Sequence, residues 1–209
     1  TAGVFRPATK TTHPSFIYLG RIRPQKNIDI AIKAFARVLK NHPRATLSVA
    51  GWGESLPVLK SLAKNLGVSG SVEFLDRVTD AEKVRLLARS WVSLQPSSFE
   101  GWGITVIEAN ASGTPVIASD VPGLKDSIQD GRTGLLVPAL NVTALSEAMS
   151  KTITDSHLRD RLSRASLIWA AGFNWDTSSD QFIGSIRHHL AAAGHPVISV
   201  RPALAASKS

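Results

Sequence analysis

Two glutamates, Glu100 and Glu108, bracket the start of an apolar stretch within residues 97–114, SSFEGWGITVIEANASGT. Glu100 stands in a short polar loop beside Gly101, Trp102 and Gly103, where a backbone with little side-chain bulk lets a ligand come close. Glu108 falls inside the apolar run 104–111, and a carboxylate there is costly unless something hydrogen-bonds it. An ion pair, a solvent-facing edge or a ligand hydroxyl would each meet that need. The run reads as a helix stopped by Gly113-Thr114-Pro115, because Gly supplies a left-handed cap and Pro cannot continue. The first amides of such a helix lack internal partners and carry roughly half a positive charge, so phosphate is their natural guest. The chemistry implied is an anion held by a helix start, with carboxylates nearby for hydroxyl groups.

The elements that position this stretch are strands alternating with helices. Residues 16–19 form a short apolar run closed by Gly20, and residues 20–27 form a loop with three cations. Ile28, Ala31, Ile32, Phe35, Ala36 and Leu39 then recur at helical spacing, with Asn27 as the cap and Asn41-His42-Pro43 as the end. Residues 45–50 give a second strand and Gly51-Trp52-Gly53 a tight turn. Leu56, Leu59, Leu62, Ala63 and Leu66 mark the next helix. Residues 72–75 are a third strand, and Thr79 with Glu82 makes a capping box for a helix through Arg89. Strands at 91–95, 115–119 and 134–137 follow, with a short helix from Pro122-Gly123 to Asp130-Gly131 between the last two. Helices near 142–153, 157–170 and 176–192 complete the pattern. This predicts an α/β, Rossmann-like parallel sheet of about six strands with helices on both faces. One domain is expected over 1–193, with 194–209, rich in Ala, Ser and Pro, as a disordered tail. Ligands in such sheets bind beyond the carboxyl ends of the strands, so the loops 20–27, 51–53 and 97–103 should meet at one rim.

Composition narrows the partners. The 209 residues are 43% hydrophobic, ample for a core, and no run approaches the ~18 apolar residues of a membrane span. No signal peptide opens the chain, and the absence of Cys excludes a disulfide scaffold and points to the cytoplasm. A formal charge of +8 implies an acidic partner. Nucleic acid is the poorer choice, because the cations are scattered without an aromatic-interleaved stripe. The six His residues show no ligand spacing, so no metal is expected. Asn110-Ala111-Ser112 and Asn141-Val142-Thr143 match glycosylation sequons without meaning for a cytosolic protein.

Three nucleotide chemistries compete. A dinucleotide-binding oxidoreductase needs a third glycine that Gly51-Trp52-Gly53-Glu54-Ser55-Leu56 lacks, and a P-loop needs a Gly-Lys-Ser/Thr that occurs nowhere. A sugar-nucleotide enzyme, with cations for a leaving diphosphate and carboxylates for hydroxyls, suits the residues. Glu100 and Glu108, seven residues between them, within Ser-x-x-Glu-Gly-Trp-Gly, resemble the paired glutamates of retaining glycosyltransferases of the GT-B fold, family four. Tyr18-Leu19-Gly20-Arg21-Ile22-Arg23-Pro24-Gln25-Lys26 resembles that family's phosphate loop, and Phe74-Leu75-Asp76-Arg77-Val78 its segment beside the base. Pro122-Gly123, then Gly131-Arg132-Thr133-Gly134-Leu135-Leu136-Val137-Pro138, and Phe173-Asn174-Trp175 are similar to its later blocks. The likeness covers residues 3–190 in order.

Carried over by position, the resemblance implies Arg21 and Lys26 at the diphosphate, with Glu100 at the sugar hydroxyls; these three are the catalytic candidates. It implies Gly101, Trp102 and Gly103 at the transferred sugar through backbone amides, Thr105 at the phosphate, Glu108 at the ribose and Val78 at the base. Asn27, Trp52 and Asp76 depart from the family pattern, where Gly, Asp and Gly are usual. The implied protein is the donor-binding, C-terminal half of a retaining transferase. Its donor is a nucleotide-diphosphate sugar, and it uses no metal or other cofactor. An N-terminal acceptor-binding domain is expected to be missing here, leaving the isolated chain without transfer activity. The full-length enzyme would be cytoplasmic, with peripheral association at the inner face of a membrane as an option. The competing class is a module on the same fold that binds a nucleotide or partner without turnover.

Overall fold

The computed structural model describes residues 4–173. The expected helix at 176–192, the tail 194–209 and the proposed boundary at 193 lie outside the described residues. Six strands form one parallel sheet: β1 (Ser15–Leu19), β2 (Thr46–Ala50), β3 (Val72–Leu75), β4 (Val92–Gln95), β5 (Val116–Ser119) and β6 (Gly134–Val137). Their order across the sheet is β3-β2-β1-β4-β5-β6. Each begins or ends within a residue of the stretch its apolar run marks.

Burial explains why these runs are strands. All five residues of β1 and all four of β4 and β5 are buried, as expected of strands covered on both faces. Successive side chains point to opposite faces, so Phe16 and Tyr18 enter one core while Ile17 and Leu19 enter the other. The first core is closed by α1 (Ile28–Asn41), α2 (Leu56–Asn65) and α6 (Val142–Thr154), through Ile32, Phe35, Leu59 and Met149 among others. The second is closed by α3 (Asp80–Arg89), α4 (Ile104–Ala111) and α5 (Leu124–Ser127), through Leu87, Val106, Ala109 and Leu124. The last described helix, α7 (Ser156–Ala171), packs on α4.

The capping box of α3 forms as read: Glu82 N–H donates to Thr79 Oγ1, and Thr79 N–H donates to Glu82 Oε2 at 2.8 Å. Two local expectations need correction. Asn27 precedes α1 but does not cap it with its side chain, because its backbone is left-handed (φ 49°) rather than extended. The helix opened by Gly123 ends at Ser127, well before Asp130, since Ile128 is extended and buried. The sequons have structural explanations: Asn110 is wholly buried, and Asn141 Oδ1 caps α6 by accepting from Ala144 N–H.

Lys10 is poorly placed for a charged group. Its ammonium donates to Thr114 Oγ1 at 2.6 Å and forms no ion pair among the described residues. Burial lowers its pKa from 10.5 to about 8. Below pH 8 the folded chain therefore holds a poorly solvated charge; between about 8 and 10.5 the unfolded chain binds more protons, and stability rises with pH. Lys10→Met is expected to stabilise the chain by about 1–3 kcal/mol at pH 7. That gain should fade as pH passes from 8 to 10.5. Thermal or urea melts across this range provide the check, and a pH-independent difference would mean that packing, not charge, controls the site.

Candidate functional site

The strand order places a switch point between β1 and β4, where connections leave in opposite directions and a crevice opens at the carboxyl ends. The loops after these two strands carry most of the residues singled out from the sequence. They are tied together: Ser98 N–H donates to the Gln25 carbonyl at 3.0 Å, and Asn27 Nδ2 donates to the Pro96 carbonyl and to Ser98 Oγ. The side chain expected to cap α1 instead holds the β1 loop to the β4 loop.

The β2 loop joins the same rim through its backbone. Ile22 N–H donates to the Trp52 carbonyl at 2.8 Å, and a methyl group on Gly53 would lie 2.0 Å from the Ile22 carbonyl oxygen. Only glycine fits there. Trp52, 42% exposed, lies under two guanidinium groups, Arg77 at 4.1 Å and Arg21 at 5.6 Å from the ring centre. Among the described residues neither arginine pairs with a carboxylate. The three loops thus converge as the strand pattern implies.

Both glutamates are bound to lysines. Lys26, at the end of the short 3-10 turn Pro24–Lys26, donates to Glu100 Oε1 at 2.6 Å, and Ser97 Oγ donates to the same oxygen at 2.9 Å. Glu108, 9% exposed, accepts from Lys83 Nζ of α3 at 2.6 Å. An ion pair is therefore what makes the buried carboxylate tolerable. Each glutamate keeps its second oxygen outside these bonds. The Glu100 backbone is pinned as well: a methyl on Gly123 (φ 83°) would lie 2.1 Å from its carbonyl oxygen.

Beneath the rim, the Tyr18 hydroxyl donates to the Arg21 carbonyl at 2.7 Å and fixes the β1 loop from the core. Burial first, and the Glu100 charge second, raise the Tyr18 pKa, so the phenol stays a neutral donor. Gly103 (φ 74°) begins α4, which has no side-chain cap and no acidic residue in its first turn. Its positive end is left for an anion. Thr105 is half-buried in that turn, while Gly101 and Trp102 are exposed. Val78 stands apart, half-buried against the second core in the loop before α3. Sequence reasoning puts Tyr18 and Asn27 at the β1 loop without their contacts, and it gives Lys83 and Gly123 no place here. Lys83 is 25 positions from Glu108, and nothing local in the sequence announces their contact.

A cleft of about 540 Å³ lies elsewhere. It opens at the amino ends of the strands beside Thr11, His13, Ser48, Glu73 and Arg89. Parallel sheets bind ligands at the other end, where the charged rim is, so the rim is the better candidate. Among the described residues no three His, Cys, Asp or Glu side chains gather as a metal site, and no helix is long and apolar enough to cross a membrane.

A six-stranded parallel sheet covered by helices, with cations, carboxylates and an uncapped helix start at its switch point, defines a Rossmann-like α/β protein. Residues 4–168 match the family model described as glycosyl transferases group 1, and the chain belongs to that family. It is 32% identical over 186 residues to a D-inositol 3-phosphate glycosyltransferase of Frankia alni, covering 85% of this chain and 46% of that protein. Among solved structures it resembles sucrose-phosphate synthase of Thermosynechococcus elongatus (TM-score 0.83, 26% identity, 92% of this chain and 51% of that one). It also shares its fold with HepE of Anabaena, solved with UDP and glucose (TM-score 0.78, 22% identity, 83% and 48%). The chain spans about half the length of these proteins.

Glu100→Gln provides a signed test of the Lys26 pair. Removing the carboxylate frees the lysine charge, so a nucleoside diphosphate should bind about two- to fivefold tighter. Preference for the corresponding nucleotide sugar should fall, because a hydroxyl acceptor is lost. Calorimetry with both ligands measures each effect; weaker diphosphate binding would place Lys26 outside the phosphate site.

Proposed function

We propose that this chain is the donor-binding half of a retaining, metal-independent glycosyltransferase that uses a nucleotide-diphosphate sugar. The observation that carries the reading is the Lys26–Glu100 pair at the switch point of the sheet, with Arg21 in the same loop as Lys26 and the uncapped start of α4 shortly after Glu100 in the chain. As the anomeric bond breaks, negative charge grows on the diphosphate. Arg21, Lys26 and the first amides of α4 are donors fixed in advance for that charge, the kind of preorganisation that supplies much of catalysis. In this reading they do the work of a metal ion.

Glu100 holds sugar hydroxyls through the oxygen that Ser97 and Lys26 leave open, and the amides of Gly101–Gly103 face the sugar. Glu108, steadied by Lys83, takes the ribose diol, and the Val78 backbone meets the base. The family likeness supports retention of configuration. The ligands of HepE, UDP and glucose, support a uridine donor as the first to try. In this reading the acceptor site lies outside this chain, which the greater length of the relatives supports. A thermal-shift screen of UDP, GDP and ADP sugars tests the reading: one of them should raise the melting temperature in a concentration-dependent way without added metal. No shift with any of them, or a shift only with Mg²⁺, would sink it.

A further inference from the structure

We infer that Phe173 and Trp169, at the end of α7, are positioning residues for the sugar-facing loop and act through the indole of Trp102. The inference rests on the donor-site reading and adds two residues that lie outside the loop itself. Trp102 stands between Gly101 and Gly103, so it is the one side chain by which this short segment can be gripped. Its ring meets Phe173 edge-to-face at 5.0 Å, with 68° between the planes. Phe173 in turn meets Trp169 at 4.9 Å and 82°.

The chain of contacts does not end at the surface. Trp169 Nε1 donates to the Ser127 carbonyl at 2.9 Å, and Ser127 is wholly buried at the end of α5. The start of α5 is Gly123, which abuts the Glu100 carbonyl. A closed circuit therefore runs from Glu100 through α5, Trp169 and Phe173 back to Trp102, holding both ends of the loop. α7 is a firm reference for it, because Ser166 Oγ donates to the Thr133 carbonyl and Ser163 Oγ to the Gly113 carbonyl. Edge-to-face pairs are worth enough to choose one loop conformation among the many that two flanking glycines allow. Phe173, singled out in the sequence as the first residue of Phe-Asn-Trp, thereby gains a physical role.

The experiment compares binding of a nucleotide sugar and its nucleoside diphosphate, using the pair that gives the largest shift in the thermal screen. Phe173→Ala should lower the preference for the sugar form by about three- to tenfold and change diphosphate affinity by less than about twofold. Phe173→Tyr, which keeps the ring, should retain the preference. In a Trp102→Leu background, Phe173→Ala should have no further effect, since its partner is already gone. Without ligand, amide exchange at residues 101–103 should quicken in Phe173→Ala while the melting temperature changes little. An unchanged preference, equal losses for both ligands, or full additivity with Trp102→Leu would overturn the inference and leave the donor site standing. A wild-type chain that binds neither ligand would overturn the functional reading, and this inference with it.

Discussion

Removing both Arg21 and Lys26 as alanine variants is expected to weaken nucleoside diphosphate binding by about a hundredfold, with nucleoside binding nearly unchanged. A hydrogen bond to a charged group contributes about 1.5–3 kcal/mol, and 1.4 kcal/mol is roughly tenfold in affinity. The two cations are not equivalent. Arg21 is exposed and pairs with no carboxylate among the described residues, so Arg21→Ala removes one favourable charge. Lys26 also neutralises Glu100 at 2.6 Å, so Lys26→Ala leaves a bare carboxylate beside the incoming diphosphate. Lys26→Ala should therefore be the more damaging single change, and adding Glu100→Gln to it should recover part of the loss. Calorimetry with the diphosphate and the nucleoside separates charge recognition from base recognition. Equal losses for both ligands would show that the substitutions disturb the loops generally.

The sheet and its rim were legible because their signals are local. Continuous apolar runs closed by glycines mark strands buried on two faces, and Thr79 with Glu82 spells out a helix start within four residues. The convergence of the three loops followed from the fold class, since parallel strands must deliver their carboxyl ends to one edge. What stayed hidden was the wiring between loops. Asn27 looked like a helix cap, yet its left-handed backbone turns the side chain across to Pro96 and Ser98. Glu108 demanded a partner by its burial, but the partner, Lys83, comes from another helix and could be named only from the packing of α3 on α4. Gly123 was legible as the opening of a helix and illegible as the residue against which Glu100 rests. Tyr18 read as core and is core, but its hydroxyl reaches up to the loop after β1. Pattern gives the frame; contacts between distant residues decide how the site is held.

The second large effect concerns turnover. The chain alone is expected to bind its donor and to transfer sugar more slowly by several orders of magnitude than a full-length relative. Binding should survive because every group assigned to the nucleotide and diphosphate lies between Gly20 and Glu108, on a sheet whose two cores are both closed by helices. Transfer needs more: an acceptor hydroxyl held at near-attack distance and water kept from the reacting carbon. The rim offers neither. Trp102 is exposed, Phe99 and Ile104 are 66% and 57% exposed beside it, and nothing in the described residues roofs the crevice. Well-oriented groups reach effective molarities of ~10⁵ M or more, which sets the scale of the loss when the acceptor is not held. The comparison is release of nucleoside diphosphate from the preferred nucleotide sugar by this chain, offered water and a panel of hydroxyl acceptors. Beside it, the Frankia alni relative is assayed at full length with D-inositol 3-phosphate, the acceptor its name gives. Binding with negligible release would fit a donor half that waits for closure over an acceptor. Release by the chain within about tenfold of the full-length enzyme would mean that the acceptor site lies on this domain, and the half-enzyme reading would fall.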